Sequence, residues 1–138
     1  MRVFIGGVIQ GSRDDNGIED QNYRRVITAA LAARWPGIEV IDPVVLHPQS
    51  PTYDDAAAKE TLLALAELAA ASDVVIAYLP VASMGTALEM YLAYQQGVPV
   101  LAITPMVENW VVRVFSRRVF RDLDAFLNYV ATTPRLEG

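Results

Sequence analysis

Residues 83–89 read Ser-Met-Gly-Thr-Ala-Leu-Glu, a hydroxyl and a glycine followed by a carboxylate one helical turn on. A loop that feeds a helix N-terminus presents free N–H groups and the positive end of the helix dipole, so Ser83 and the Gly85 N–H are candidate anion ligands. Glu89 is either a solvated glutamate of a surface helix or a nucleophile or electrostatic stabiliser aimed at an electrophilic carbon. Spacing does not decide between them. Ser83 is likewise a helix cap, a phosphate ligand, or both, since the two roles use the same donors. A second stretch, Gly6-Gly7-Val8-Ile9-Gln10-Gly11-Ser12-Arg13, allows close backbone approach at Gly6, Gly7 and Gly11. It adds the Ser12 hydroxyl and the guanidinium fork of Arg13, unless Arg13 pairs with Asp14 or Asp15. His47 lies in a Pro-flanked loop as an exposed ring or a proton handler. Asp54 and Asp55 are helix caps or acids. Arg113, Arg117, Arg118 and Arg121 form a cationic cluster, either a solvated helix face or an anion contact. Neither glycine stretch is a Walker loop, and no GxGxxG fingerprint supports dinucleotide binding.

The elements that must position these groups follow from hydropathy patterning. Val3-Phe4-Ile5 is a short buried strand running into the Gly6-Gly7 turn, and residues 11–20 are a polar loop. Asp20 caps a helix to about Trp35, with Tyr23, Val26, Ile27, Ala30 and Leu31 at helical spacing. Pro36-Gly37 stops it. A strand is expected over 38–41, a Pro-stiffened loop over 42–53, and an Ala/Leu-rich helix from Asp54 or Asp55 through Ala71. Residues 73–79 contain Val-Val-Ile-Ala, a continuous apolar run of the kind found in parallel strands covered on both faces. A helix follows from Gly85 to about Gln96, a strand over 98–103, a helix over 109–118, a short strand at Val119-Phe120 and a last helix from Asp122 to about Ala131. Strands alternating with helices predict one α/β domain, a doubly wound parallel sheet of five strands in the flavodoxin-like, Rossmann-like order 2-1-3-4-5. Its ligand crevice falls between the first and third strands, where both glycine loops emerge.

Composition narrows the partners. The chain has 138 residues, 53% hydrophobic, with 11 Lys+Arg against 16 Asp+Glu, a formal charge of −5 and a pI near 4.7. That field repels polyanions, so neither nucleic acid nor an anionic membrane is expected as a partner; a small anion remains possible where cations gather. Zero Cys and one His exclude disulfides, thiolate chemistry and a multi-His metal cage within the chain. The first residues are too short and Gly-broken for a signal peptide, and no apolar run reaches the ~18 residues of a membrane span. A soluble cytoplasmic protein is expected.

Two segments together resemble the nucleoside 2-deoxyribosyltransferase superfamily, most closely its 2′-deoxynucleoside 5′-phosphate N-hydrolase branch. The first is Val3-Phe4-Ile5-Gly6-Gly7 with Gly11-Ser12-Arg13-Asp14-Asp15. The second is Ser72-Asp73-Val74-Val75-Ile76-Ala77 through Ser83-Met84-Gly85-Thr86-Ala87-Leu88-Glu89, then Gly97-Val98-Pro99-Val100. The resemblance implies that Glu89 attacks the anomeric carbon of a nucleoside or nucleotide, forming a glycosyl ester that water or a second base resolves. It implies a phosphate site at Ser83, where transferases acting on free nucleosides have Asp, and a His near the sugar at about His47. It also implies no metal or organic cofactor, and a homodimer or higher oligomer in which Arg113 of a neighbouring subunit helps hold the phosphate. Two positions depart. Phe4 stands where the hydrolases have a Tyr that orients the nucleophile, and Leu65 where they have the general acid/base, with Glu60 and Glu67 off register. Either Tyr53, Asp54, Asp55 or Glu60 substitutes, or catalysis is weak, or the protein is a nucleotide-binding or sensing module of the same fold. Other glycosidases with a Glu nucleophile, acting on NAD or cytokinin nucleotides, share the Gly-Thr-x-x-Glu pattern.

Overall fold

The computed structural model describes residues 1–15 and 17–137, so Asn16 of the first loop lies outside it. Along the chain run β1 (Arg2–Gly7), α1 (Asn22–Arg34), β2 (Glu39–Ile41), α2 (Pro43–Leu46), α3 (Asp55–Ala70) and β3 (Val74–Tyr78). They are followed by α4 (Met84–Gln95), β4 (Val100–Ile103), α5 (Trp110–Phe115), β5 (Arg118–Phe120) and α6 (Leu123–Thr132). The five strands form a parallel sheet in the order β2-β1-β3-β4-β5, as the alternation of elements predicts. Among the described residues no helix is long and apolar enough to cross a membrane.

Both faces of the sheet are covered, which is why its strands read as continuous apolar runs rather than alternating ones. On one face Val3, Ile5, Val74, Ile76, Leu101 and Ile103 pack against Ile27 and Leu31 of α1 and Phe126 and Val130 of α6. On the other, Phe4, Val75, Ala77, Val100 and Ala102 meet Ala69 of α3, Met90 and Ala93 of α4 and Val112 of α5. The small side chains on this second face bring α3 and α4 close to the strands, directly beneath the site described below. Successive residues of a strand point to opposite faces. Gly6 therefore continues the Phe4 row towards α4, and Gly7 the Ile5 row towards α1.

Caps set the helix ends. The Asp54 side chain accepts from Ala57 N at 2.8 Å and Asp122 from Ala125 N at 2.8 Å. Gly97, at φ +73°, ends α4: its N–H donates to Tyr94 O and that of Val98 to Ala93 O, a Schellman closure that needs a left-handed residue. Three expectations change. The helix expected over 109–118 ends at Phe115, and Arg118 already belongs to β5. The segment 42–53 is not all loop, because Asp42 accepts from Val44 N and Pro43 occupies the first helical position, which together nucleate α2; a 3-10 turn follows at Ser50–Thr52. The first helix starts two residues after Asp20, whose carboxylate accepts from Asn22 N in a local turn instead of capping it.

The Asp54 hydrogen bond fixes the start of a helix that walls the site. Asp54→Ala should lower unfolding stability by about 1 kcal/mol in urea denaturation, with native circular dichroism retained.

Candidate active site

Strand order reverses around β1, whose chain neighbour β2 lies on one side and β3 on the other, and a crevice opens at the carboxyl ends of such strands. A cavity of about 330 Å³ occupies it on the α3/α4 side of the sheet. Gly7, Ile9, Gln10 and Gly11 after β1 form one wall, and Ser83, Met84, Gly85, Thr86 and Glu89 at the start of α4 another. α3 contributes Ala58, Thr61, Leu62 and Leu65, a single stripe at helical spacing, and Ser50, Pro51 and Tyr53 close the side. Another concavity, of about 370 Å³, lies across the sheet beside Tyr23, Tyr78, Glu19 and Asp20. It is slightly larger, but the buried carboxyl is not in its wall.

Glu89 stands in the second turn of α4 and is 8% exposed. Its Oε2 is buried and has no hydrogen-bond partner among the described residues. The carboxyl lies over Gly6: a Cβ there would stand 2.5 Å from Oε2 and 3.4 Å from Thr86 Cγ2, so a side chain at this position would displace the carboxyl from where it rests. Burial pushes the Glu89 pKa up to about 8, against the pull of the Arg24 guanidinium. The positive end of the helix dipole does little to offset this. The dipole acts within the first turn, and Glu89 lies beyond it, in a wall that excludes water.

Ser83 is the N-cap of α4. Its hydroxyl accepts from Thr86 N at 3.3 Å and donates to Thr86 Oγ1 at 3.0 Å while lining the cavity, so it is cap and lining group at once. Gly85 has open space around its Cα. Of the first glycine loop, Gly7 and Gly11 reach the cavity and Gly6 floors the carboxyl, whereas Ser12 and Arg13 are exposed and outside the lining. Arg13 binds Asp15 through two 2.9 Å hydrogen bonds, with Glu19 3.9 Å away, which settles its pairing in favour of Asp15 over Asp14. His47 does not line the cavity; its Nδ1 is 3.0 Å from the hydroxyl of Tyr53, which does. Asp54 is engaged as the α3 cap, and neither it nor Asp55 lines the cavity. Arg113 is exposed on α5 and outside the lining. Leu65 sits in the wall, Glu60 and Glu67 are exposed on α3 away from it, and Phe4 is fully buried in the core. Among the described residues, no Lys or Arg lines the cavity, and no group of three His, Asp or Glu side chains is placed to hold a metal.

Arg24 was not singled out by the sequence analysis. It is 2% exposed, its Nη1 donating to Ile5 O at 2.8 Å and to Asp42 Oδ1 at 3.1 Å. The signal was present: Arg24, Ile27 and Leu31 fall at i, i+3 and i+7 of the buried stripe of α1, and a charge on such a stripe must be paired.

In three dimensions the chain is similar to the 2-deoxyribosyltransferase of Bacillus psychrosaccharolyticus, described as a biocatalyst for synthesis of antiviral and antitumoral nucleosides. The match has a TM-score of 0.65 and 18% identity, over 94% of this chain and 92% of that one. It is similar to the same degree to a conserved protein of Enterococcus faecalis, with a TM-score of 0.65 and 20% identity over 95% and 97% of the two chains. At these identities the likeness establishes a shared fold. No family model and no curated protein matches the sequence.

Glu89 makes stability depend on pH. Between its ordinary value of 4.5 and about 8, the unfolded chain ionises while the folded one keeps its proton. Stability present at low pH is therefore lost as pH rises through this window, and the loss levels off above it. Glu89→Gln removes the dependence. Urea denaturation should show wild type losing stability relative to Glu89→Gln, by on the order of 3 kcal/mol between about pH 5 and pH 8.

Proposed function

We propose that the protein cleaves the N-glycosidic bond of a nucleoside or nucleoside 5′-monophosphate through a glycosyl ester on Glu89. One observation carries this reading: Glu89 Oε2, buried and without a hydrogen-bond partner among the described residues, lies over a glycine floor in the wall of a cavity of small-molecule size. The shared fold with a 2-deoxyribosyltransferase supports it. In the first step a carboxylate oxygen of Glu89 bonds to C1′ as the C1′–N bond breaks, its electron pair leaving with the base, which takes up a proton. Water then attacks C1′, the ester C–O bond breaks, and the sugar, the Glu89 carboxylate and a proton are released. A second base in place of water gives transfer.

The attack needs ionised Glu89, and positive charge developing at the sugar carbon favours that form just where the empty cavity disfavours it. Tyr53, hydrogen-bonded to His47, gives protons a path between the cavity wall and a half-buried imidazole. Ser83 and the N–H groups of the first turn of α4, with the backbone around Gly7 and Gly11, are the phosphate ligands of this proposal. Because no cation among the described residues lines the cavity, an uncharged nucleoside is a second reading. A monophosphate would draw its positive charge from a neighbouring copy. The outer face of α4 exposes Met84, Leu88 and Tyr91, and that of α5 Trp110 and Val114, all apolar; Met84 also lines the cavity. A homodimer through these faces, with Arg113 beside Val112 and Val114 on α5, would bring positive charge from one copy to the site of the other.

Nucleosides and their 5′-monophosphates, incubated with wild type and Glu89→Ala, test the proposal by chromatography of free base. Wild type should release base and Glu89→Ala should be slower by at least about a thousandfold. Equal release by both would refute the role of Glu89, and tight binding without release by either would make the protein a binding module. A preference for nucleosides over monophosphates would select the second reading. Since kcat/KM reports the free protein, it should rise with pH and level off above about 8; a flat profile from about pH 6 to 9 would exclude carboxylate attack. Trp110→Ser should convert the dimer to monomer in analytical ultracentrifugation; an unchanged sedimentation coefficient would place the contact elsewhere.

A further inference from the structure

The odd-numbered carbonyls of β1 face β2, as the hydrogen bond from Glu39 N to Met1 O fixes. β2 ends at Ile41, opposite Phe4, so the Ile5 and Gly7 carbonyls reach past the last residue of their partner strand. Arg24 fills the gap from α1. Its Nη1 donates to Ile5 O at 2.8 Å and its Nη2 to Gly7 O at 3.5 Å. Nε donates to Gln21 Oε1 at 2.7 Å, and Nη1 also donates to Asp42 Oδ1 at 3.1 Å. The two carbonyls held by this one guanidinium flank Gly6, the residue over which the Glu89 carboxyl lies. Only a planar fork with fixed donors can satisfy this set, which a lysine ammonium cannot reproduce.

We propose that Arg24 is a positioning residue for Glu89, acting through β1: it clamps the strand on both sides of Gly6 and sets a buried positive charge behind the floor on which the carboxyl rests. Its importance to chemistry rests on the proposed attack by Glu89; the clamp and the charge do not. Burial of Glu89 opposes ionisation, and the Arg24 charge is what favours it. Other titratable groups around the pair are Asp42 after β2, Tyr23 on α1, Tyr78 on β3, which stacks on Tyr23, and Tyr53 in the cavity wall. Tyr23 is itself held protonated by burial, and feels both Asp42 and Glu89.

Two measurements test the assignment without substrate, so that an absence of base release and an absence of coupling remain separate results. In wild type, the Arg24 Nε resonance should step with pH at the midpoint of the Glu89 carboxyl ¹³C titration, and the step should vanish in Glu89→Gln. No step at that midpoint overturns the proposal. In Arg24→Gln combined with Asp42→Asn, chosen so that no buried charge is left unpaired, the Glu89 midpoint should rise by about one pH unit. An unchanged midpoint in the folded double variant overturns it and leaves Arg24 a purely structural residue; if that variant does not fold, the wild-type titration decides.

Discussion

A carboxyl group with an oxygen buried away from any hydrogen-bond partner is costly to keep charged, and the crevice of this protein is arranged around Glu89, whose Oε2 has none among the described residues. Glu89 reaches its place because Gly6 has no side chain to obstruct it and because the small residues of the α3/α4 face let α4 lie close to the sheet. Gly7, one residue on, plays the corresponding part on the opposite face, where a Cβ would collide with the Tyr23 hydroxyl. The end of β1 is thus squeezed from both sides, by a carboxyl from α4 and a phenol from α1, and two consecutive glycines are what that geometry requires. The chemistry proposed for the site draws on the same condition, since a carboxyl that is hard to ionise in an empty cavity gains most from a positive centre forming beside it.

The asymmetry of the sheet has a second consequence. A three-residue β2 leaves the last carbonyls of β1 without strand partners just where the site needs rigid backbone. A buried arginine, paired with the aspartate that also caps α2, does the work of the missing strand. One side chain thereby connects a helix start, a strand end and the electrostatics of Glu89. A charge at this position is tolerable because each of the three guanidinium nitrogens donates to an oxygen, one of them a carboxylate's.

Much of the fold was legible from local physics. Continuous apolar runs at Val74–Ala77 and Val100–Ile103 mark strands buried on both faces, and alternation with helices leads to the parallel order. The segment after β2 was less legible, because a proline-rich stretch with an aspartate in front suits a short helix as well as a loop. Among site residues, Ser83 and Glu89 were legible as a cap and a carboxylate one turn apart, and Gly6 and Gly7 as positions where backbone comes close to something. Asp54 and Asp55 share residue type and neighbourhood with an acid, yet the hydrogen bond from Ala57 N commits Asp54 to the helix end. Arg13 had two candidate partners in sequence, and the turn of the loop gave it Asp15.

The sequence by itself determined the elements, their parallel order and the end of the sheet where the crevice opens, between the first and third strands, because these follow from periodicity, capping and chain connectivity, which act over short stretches. Tertiary structure alone decided that Glu89 is buried instead of solvated, that Arg24 braces the strand beneath it, and that Tyr53 links His47 to the cavity wall. The first two depend on groups far apart in the chain meeting in a place from which water is largely excluded, and the charge state of a carboxyl is set by that exclusion, not by its neighbours in sequence.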